Sequence, residues 1–256
     1  LPIHGSWARI LSCPQQEYMT LIGHDDLLGR DFLATTKALI ERFPDASLYQ
    51  TGSRLINADG GRIRDCPKAP ERETPAGYLR ARFAFERDIF GTGYVMRSVD
   101  HDRVGGIPPF ERLFFADDAL WLSLMRGSYK AYDPTESFAV RIHPKSESAS
   151  LPSAWSPILT GLNQFTAFLR EFTATDSEAA EVFASNDSAP LRAIKRQVYG
   201  MASLAIGLVA YTTGDLPKSR HYFALAGRYR PSLLLSKNIP STIAKSLLGK
   251  NLLGKL

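Results

Sequence analysis

The chain has 256 residues, of which 44% are hydrophobic and 22% charged, with a net charge of +5. This composition is typical of a globular protein with a sizeable core and argues against a disordered chain, and no apolar run reaches the roughly 20 residues that cross a bilayer. Two cysteines, Cys13 and Cys66, cannot form a disulfide framework, so we expect a reducing, cytoplasmic setting.

The first part of the chain predicts a mixture of strands and helices, because its apolar residues alternate in some segments and recur at helical spacing in others. The predicted elements are strands over 17–22, 46–56, 91–97 and 136–143 and helices over 31–42 and 117–125. Turns are expected at 57–61 and at 105–109, where glycines occur in pairs. Residues 66–75 are expected to form an exposed loop.

A serine-rich segment over 146–156 predicts a linker. Beyond it the pattern is helical, with predicted helices over 157–173, 191–213, 217–229 and 241–256. The pair that meets at Gly214-Asp215 resembles one tetratricopeptide-type hairpin. We therefore predict an α/β domain over residues 1–150 and an all-helical extension over residues 151–256.

Charge is unevenly distributed between these parts. Residues 187–256 carry eleven Lys or Arg and two Asp, a net charge of +9, which leaves −4 for the rest. Such an asymmetry indicates an anionic partner for the C-terminal part. In residues 239–256, apolar residues recur at helical spacing beside lysines, which predicts an amphipathic helix that either contacts a membrane or packs on its neighbours.

Asp25 and Asp26 directly follow the first predicted strand. In open α/β sheets, ligands bind at the carboxyl ends of strands. Two adjacent carboxylates repel each other unless a cation or hydrogen bonds offset their charge. Their hard oxygen atoms suit Mg²⁺ or Mn²⁺ bound to a diphosphate. The alternative is a helix N-terminus, where the dipole favours acids.

Three further features follow in order: Gly105-Gly106, Asp117-Asp118 at a helix start, and Arg141-Ile-His143 at the end of the last predicted strand. Each also has an ordinary structural explanation. The glycines suit a turn, acids are common in a first helical turn, and a lone histidine is more often a surface or core residue than a ligand.

Together with Gly23-His-Asp-Asp26, this ordered set resembles the second half of a family 2 glycosyltransferase with the GT-A fold. The stretch from Glu17 to Leu28 looks like that family's Gly-Glu-Tyr, apolar run and Asp-Asp-Leu. The resemblance covers about residues 5–150. It implies an incomplete GT-A-type mixed sheet flanked by helices and followed by the all-helical region.

The resemblance also implies an activity, namely inverting transfer of a sugar from a nucleotide-diphosphate donor to a saccharide or lipid-linked saccharide, with Mn²⁺ or Mg²⁺. A lipid-linked acceptor would suit a cytoplasmic enzyme that works at the inner face of a membrane. The residues that match the family's motifs are then expected to take the family's roles. Asp25 and His143 are the expected metal ligands, and the donor phosphates are expected to contact Asp26, Arg141 and His143. Asp118 is the expected catalytic base, with Asp117 as its neighbour, and the acceptor loop is expected at Gly105 and Gly106. With inversion, one carboxylate that accepts the proton of the acceptor hydroxyl is sufficient.

The sequence departs from the family's pattern in two places. Gly23 stands where the family commonly has an acid. The family's opening Pro-x-Tyr-Asn-like strand and Asp-Asp-Gly-Ser-like turn, which hold the base of the donor, are not found. We therefore expect that, in the parent protein, about 90 further residues precede Leu1 and form the nucleotide-binding half of the domain.

Other classes remain open. A binding or scaffold protein could use a degenerate transferase fold. A metal-dependent phosphohydrolase usually needs more converging acids and histidines than the five histidines present here. Nucleic-acid binding is not expected, because the first part of the chain is acidic and no recognised motif is present.

Overall fold

The computed structural model describes residues 3–13, 15–84, 86–142, 155–184 and 189–235, together with Pro240 and Ile243. The chain divides into two compact units. The first comprises residues 1–146 and 160–190, and the second comprises residues 147–159 and 191–256. The boundary expected at residue 150 stays a prediction, because residues 143–154 lie outside the described ranges.

A curled mixed sheet forms the centre of the first unit. The seven strands within the described residues are β1 (Tyr18–Thr20), β2 (Leu27–Leu28), β3 (Leu48–Ile56), β4 (Arg62–Asp65), β5 (Arg72–Glu73), β6 (Tyr94–Arg97) and β7 (Lys130–Arg141). The order is β1-β6-β3-β7-β2, with β4 paired to β3 and β5 paired to β7. The long central strands β3 and β7 run parallel, whereas their pairs with β2, β4, β5 and β6 are antiparallel.

Helices flank this sheet and fill the C-terminal part of the described chain. They are α1 (Ile3–Ala8), α2 (Phe32–Arg42), α3 (Pro75–Phe83), α4 (Ser98–Arg103), α5 (Ala116–Met125), α6 (Trp155–Thr175), α7 (Ser177–Ala184), α8 (Ala189–Thr213) and α9 (Leu216–Tyr229). The mixed α/β class and the helical C-terminal region are therefore as expected from the sequence.

Part of the core lies between α2 and the sheet. Phe32 and Leu39, on one face of α2, are buried with Tyr49 of β3, Val95 of β6 and Ala131 of β7. The exposed residues of α2 include Leu33 and Lys37. This is the 3.6-residue periodicity that predicted the helix.

Strand β7 begins at Lys130, earlier than the predicted start at Glu136. The prediction started late because Pro134 is a residue type that usually marks the end of a strand. The structure accommodates the proline at an irregularity where the register between β3 and β7 shifts around Gly52. A Cβ atom on Gly52 would lie 2.6 Å from the carbonyl oxygen of Pro134. Glycine at this position therefore allows the two strands to continue past the proline.

The prediction of an exposed loop over 66–75 is wrong at the end of that segment, since Arg72–Glu73 form β5 and Glu73 is buried. Helix α3, which follows, was not predicted. Its start carries two recognisable signals: the Thr74 hydroxyl accepts a hydrogen bond from the backbone N–H of Gly77, and Pro75 occupies the first turn.

The described part of the second unit contains the α8–α9 hairpin. Gly214, at φ +87°, makes the bend, and Asp215 caps α9. Phe223 of α9 packs on α8 at Gly207, where a Cβ atom would lie 2.7 Å from its ring. In the described ranges, no helix is long and apolar enough to span a membrane. The amphipathic helix predicted at 239–256 lies outside these ranges except for Pro240 and Ile243.

Candidate active site

The first carboxylate pair lies in a tight turn after β1, in which the backbone N–H of Asp26 donates to the carbonyl oxygen of Gly23 at 3.2 Å. Both carboxylate oxygens of Asp26 accept hydrogen bonds, Oδ2 from the Thr92 hydroxyl at 2.8 Å and Oδ1 from the backbone N–H of Arg141 at 3.1 Å. Asp26 is thereby fixed in orientation. The Asp25 side chain is 23% exposed.

Gly23 provides the space into which both carboxylates project. A Cβ atom at this position would lie 2.6 Å from Oδ2 of Asp26 and 3.2 Å from Oδ1 of Asp25. Any larger residue would displace one of the acids. Two hard oxygen atoms that converge on one point are a donor set suited to Mg²⁺ or Mn²⁺. The His24 side chain is 93% exposed, and its Nδ1 lies 3.7 Å from Oδ1 of Asp25.

Arg141 lies beside this turn at the end of β7. Its Nε donates to the carbonyl oxygen of Asp25 at 2.8 Å, and its Nη1 donates to the carbonyl oxygens of Asn57 and Ala58 at 3.0 and 2.8 Å. The guanidinium group therefore brings a positive charge to the acid turn and ties it to the turn after β3. His143 lies outside the described residues, so its predicted role as a metal or phosphate contact stays a prediction.

The second carboxylate pair opens α5, and its two members have different surroundings. Asp118 is almost fully buried, with 2% side-chain exposure. Its Oδ1 accepts hydrogen bonds from the Tyr78 hydroxyl at 2.7 Å and from Nε of Arg82 at 2.9 Å, and its Oδ2 accepts one from Nη2 of Arg82 at 3.2 Å. This bidentate ion pair attaches α5 to α3.

Asp117 is partly exposed at the edge of the same core. Its Oδ1 accepts a hydrogen bond from the backbone N–H of Asp118 at 3.0 Å. Burial first, and then the negative charge of Asp118, raise the pKa of Asp117 to about 7. A carboxyl group with this pKa exchanges its proton near neutral pH.

The segment Gly91–Thr92 connects the two carboxylate pairs. Thr92 donates to Asp26, as described above, while a Cβ atom on Gly91 would lie 4.0 Å from Cβ of Asp117. That Cβ atom on Gly91 would also lie 3.1 Å from Cζ2 of Trp7, a partly exposed residue of α1. The structure thus places Asp25-Asp26, Asp117 and an aromatic ring around one short segment.

Backbone strain is concentrated just before the second pair. Arg112, Leu113 and Phe115 have positive φ angles of 48°, 58° and 64°. Helix α6 holds the segment, because the Phe115 ring stacks on Phe165 at 5.7 Å and the side chain of Gln164 accepts a hydrogen bond from the backbone N–H of Glu111 at 2.7 Å. Strained non-glycine residues of this kind cluster at functional sites.

Gly105 and Gly106 end helix α4. Both have positive φ, and their backbone N–H groups donate to the carbonyl oxygens of Asp102 and His101, each at 3.0 Å. This is a helix C-terminal cap of the kind that glycine favours. A Cβ atom on Gly106 would lie 3.4 Å from the Leu11 side chain. The role expected in an acceptor loop stays a prediction.

Trp7, Thr92, Tyr78 and Arg82 were not identified from the sequence. The spacing Gly91-Thr-Gly93 was the available signal for the connecting segment, and the start signals of α3 could have located Tyr78 and Arg82 on a helix. Among the described residues, no group of three or more His, Cys, Asp or Glu side chains that could share a metal ion is found.

Neither protein-family models nor curated protein sequences give a match to this chain.

Proposed function

We propose that this protein is a metal-dependent, inverting glycosyltransferase similar to family 2 enzymes of the GT-A fold. It moves a sugar from a nucleotide-diphosphate donor to a saccharide or lipid-linked saccharide. One observation carries the proposal: Gly91–Thr92 lies between a carboxylate pair suited to a divalent cation and a single carboxyl group with the pKa of a general base.

At the donor end, Asp25 and Asp26 supply the oxygen ligands that converge beside Gly23. Bound Mn²⁺ or Mg²⁺ would neutralise the leaving diphosphate. Asp26 is held by Thr92 and by the backbone of Arg141, so it orients the turn, and the partly exposed Asp25 would bind the ion. The Arg141 guanidinium adds positive charge next to the phosphates.

At the acceptor end, we assign the base to Asp117. The resemblance implied Asp118 as base with Asp117 as its neighbour, and the geometry favours the reverse assignment. Asp118 could accept a proton only by losing its ion pair with Arg82. Asp117 has access to solvent, and its raised pKa suits proton transfer from an acceptor hydroxyl at neutral pH.

Trp7 supplies an apolar surface beside that base. Its indole edge and Cβ of Asp117 lie within 4.0 Å of the same point above Gly91. Aromatic rings combine a large apolar face with a polar edge, which suits contact with the C–H face of a sugar ring. We therefore assign Trp7 to binding of the acceptor saccharide.

Two substitutions test the two ends separately. Mn²⁺ binding in the presence of a nucleoside diphosphate is measured by calorimetry, and sugar transfer is measured with a panel of nucleotide sugars. Asp25→Asn should weaken Mn²⁺ binding, because a charged ligand is lost. Asp117→Asn should leave Mn²⁺ binding intact and lower turnover roughly a hundredfold, the scale of a lost general base.

Asp118→Asn and Asp45→Asn serve as controls. Asp118→Asn removes the negative charge next to Asp117 and so lowers the pKa of that base, which should move the acid limb of the pH–rate profile to lower pH. Asp45→Asn, at an exposed position, should change neither measurement. Near-normal turnover in Asp117→Asn would contradict the assignment of Asp117 as the general base. Diphosphate binding that does not depend on a metal ion would contradict the role of Asp25 as a metal ligand.

The second candidate is a non-catalytic binding protein with a degenerate transferase fold. The observation in its favour is that protein groups already occupy both oxygens of Asp26 and several donors of Arg141. In that case the chain binds a nucleotide sugar but transfers nothing from any donor in the panel, and Asp117→Asn changes no measured property of binding.

A further inference from the structure

The α8–α9 hairpin and the segment that follows it are strongly basic. Residues 189–235 contain seven Lys or Arg and a single acid, Asp215, which gives a net charge of +6. Asp215 caps α9, since its Oδ1 accepts a hydrogen bond from the backbone N–H of Lys218 at 3.1 Å. The one acid of this region is therefore engaged with the helix end.

The cations of α9 lie on its exposed surface. Ser219, Phe223 and Ala226 are the buried residues of this helix. Its three basic residues, Lys218, Arg220 and Arg228, are all exposed, and α9 contains no acid. In α8, Arg192 and Arg196 are also exposed and lie about one turn apart. Several positive charges are thereby presented to solvent along the hairpin.

An exposed apolar side chain follows these cations directly. Leu235 ends the short 3-10 segment Pro231–Leu235 and is 81% exposed. The neighbouring Leu234 is packed on Gly227, where a Cβ atom would lie 2.8 Å from it. Basic residues combined with a protruding leucine are typical of segments that lie at a membrane surface, where cations meet headgroups and apolar side chains enter the acyl boundary.

We infer that the α8–α9 hairpin, together with Pro231–Leu235, binds the surface of a membrane that contains anionic lipids. This inference is independent of the proposed sugar transfer. Membrane contact, one of the two alternatives for residues 239–256, is thereby extended to the hairpin. The sequence after Leu235 adds four lysines and no acid, which continues the same charge pattern. Each cation near an anionic surface is worth roughly a fivefold gain in binding.

Co-sedimentation of the full chain with vesicles tests the inference. The vesicles contain phosphatidylcholine alone or with about 30% phosphatidylserine, the kind of anionic lipid that attracts basic segments. The hairpin variant carries Lys218→Gln, Arg220→Gln and Arg228→Gln. The charge-matched control carries Arg30→Gln, Lys68→Gln and Arg80→Gln, three exposed positions of the first unit. Thermal unfolding confirms that both variants fold.

The wild-type chain and the control should bind the anionic vesicles, with binding that weakens at high salt, and the hairpin variant should bind roughly a hundredfold more weakly. Leu235→Ser should weaken vesicle binding but leave heparin binding unchanged. Equal losses in the hairpin variant and the control, or equal binding to neutral and anionic vesicles, would overturn the inference. Hairpin-dependent binding of heparin or RNA without vesicle binding would also overturn it and assign the surface to a polyanion.

Discussion

At the start of α5, two adjacent aspartates have different chemical characters because of what surrounds each side chain. Asp118 is buried against Tyr78 and Arg82, which satisfy its charge. Burial and, after it, the negative charge of Asp118 raise the pKa of Asp117 to about 7, although Arg82 and backbone hydrogen bonds oppose the shift. Burial raises the pKa of a carboxyl group because the charged form loses its hydration.

The raised pKa of Asp117 predicts a pH-dependent effect on stability. The folded state binds this proton more tightly than the unfolded state, whose pKa is near 3.8, so stability is lost as the pH rises from about 4 to about 7. Asp117→Asn cannot lose a proton and should be more stable than the wild type by on the order of 2 kcal/mol above about pH 8.

Urea unfolding of wild type and Asp117→Asn at about pH 4 and at about pH 8 measures this difference. The two proteins should have similar stability at about pH 4, where Asp117 is protonated in the folded state and only about half ionised in the unfolded state. A variant that is less stable than the wild type at the higher pH would show that the Asp117 carboxylate is stabilised in the folded protein, which contradicts a base with a raised pKa.

At the scale of elements, several local signals in the sequence were sufficient. The apolar spacing of α2, the paired glycines after β3 and the bend between α8 and α9 each depend on residues close in the chain. Signals that were present but not used include the Thr74–Pro75 start of α3 and the Asp176 cap of α7, whose Oδ1 accepts from the backbone N–H of Ala179 at 2.9 Å.

Two glycines with positive φ provide a test of how β6 is placed. Gly93 (φ +81°) precedes β6, and a Cβ atom there would overlap the ring of Phe138 in β7. Gly105 (φ +76°) has nothing within 4 Å of its Cβ position in the described structure. Gly105→Ala should therefore cost about 1 kcal/mol from backbone strain alone, whereas Gly93→Ala should cost roughly 3 kcal/mol or more.

Chemical denaturation of the two variants under the same conditions gives both free energies of unfolding. Because each variant carries the same backbone strain, the difference between them reports the overlap with Phe138. Equal losses would mean that the sheet relaxes around residue 93 and that the close approach to Phe138 does not constrain β6.

At the scale of the whole molecule, a buried ionic cluster ties the sheet to the segment that precedes Gly91. Lys130 of β7 and Glu73 of β5 are each 1% exposed, with Nζ and Oε2 2.7 Å apart. Nζ of Lys130 also donates to Oε1 of Gln50 at 2.7 Å, and Nη2 of Arg87 donates to Oε1 of Glu73 at 3.0 Å. Burial lowers the pKa of Lys130, and Glu73 opposes that effect.

Removal of either member of this pair should destabilise the protein strongly, and the two effects should not add. Lys130→Met leaves Glu73 buried with a reduced complement of positive charge and should cost roughly 3–5 kcal/mol, as should Glu73→Gln. The double variant should be less destabilised than the sum of the two. By comparison, Arg103→Gln breaks an exposed pair with Asp100 and should cost under about 1 kcal/mol.

A double-mutant cycle from urea unfolding measures the coupling between Glu73 and Lys130. Strictly additive effects would mean that the two charges do not interact in the folded state, despite the 2.7 Å separation of their atoms. Loss of stability in Arg103→Gln as large as in Lys130→Met would show that burial is not what makes the pair important.

By itself, the sequence determined the mixed α/β class, the helical C-terminal part, the acid turn after β1 and the acid pair that opens α5. Each of these depends on periodicity, turn residues or charges within a few positions of one another, so they can be read locally. Tertiary structure alone decided that Asp118 meets Tyr78 and Arg82, that Thr92 binds Asp26, and that Trp7 lies beside Asp117. These contacts join residues far apart in the chain, and the pKa of Asp117 follows from the burial and charge that such contacts create.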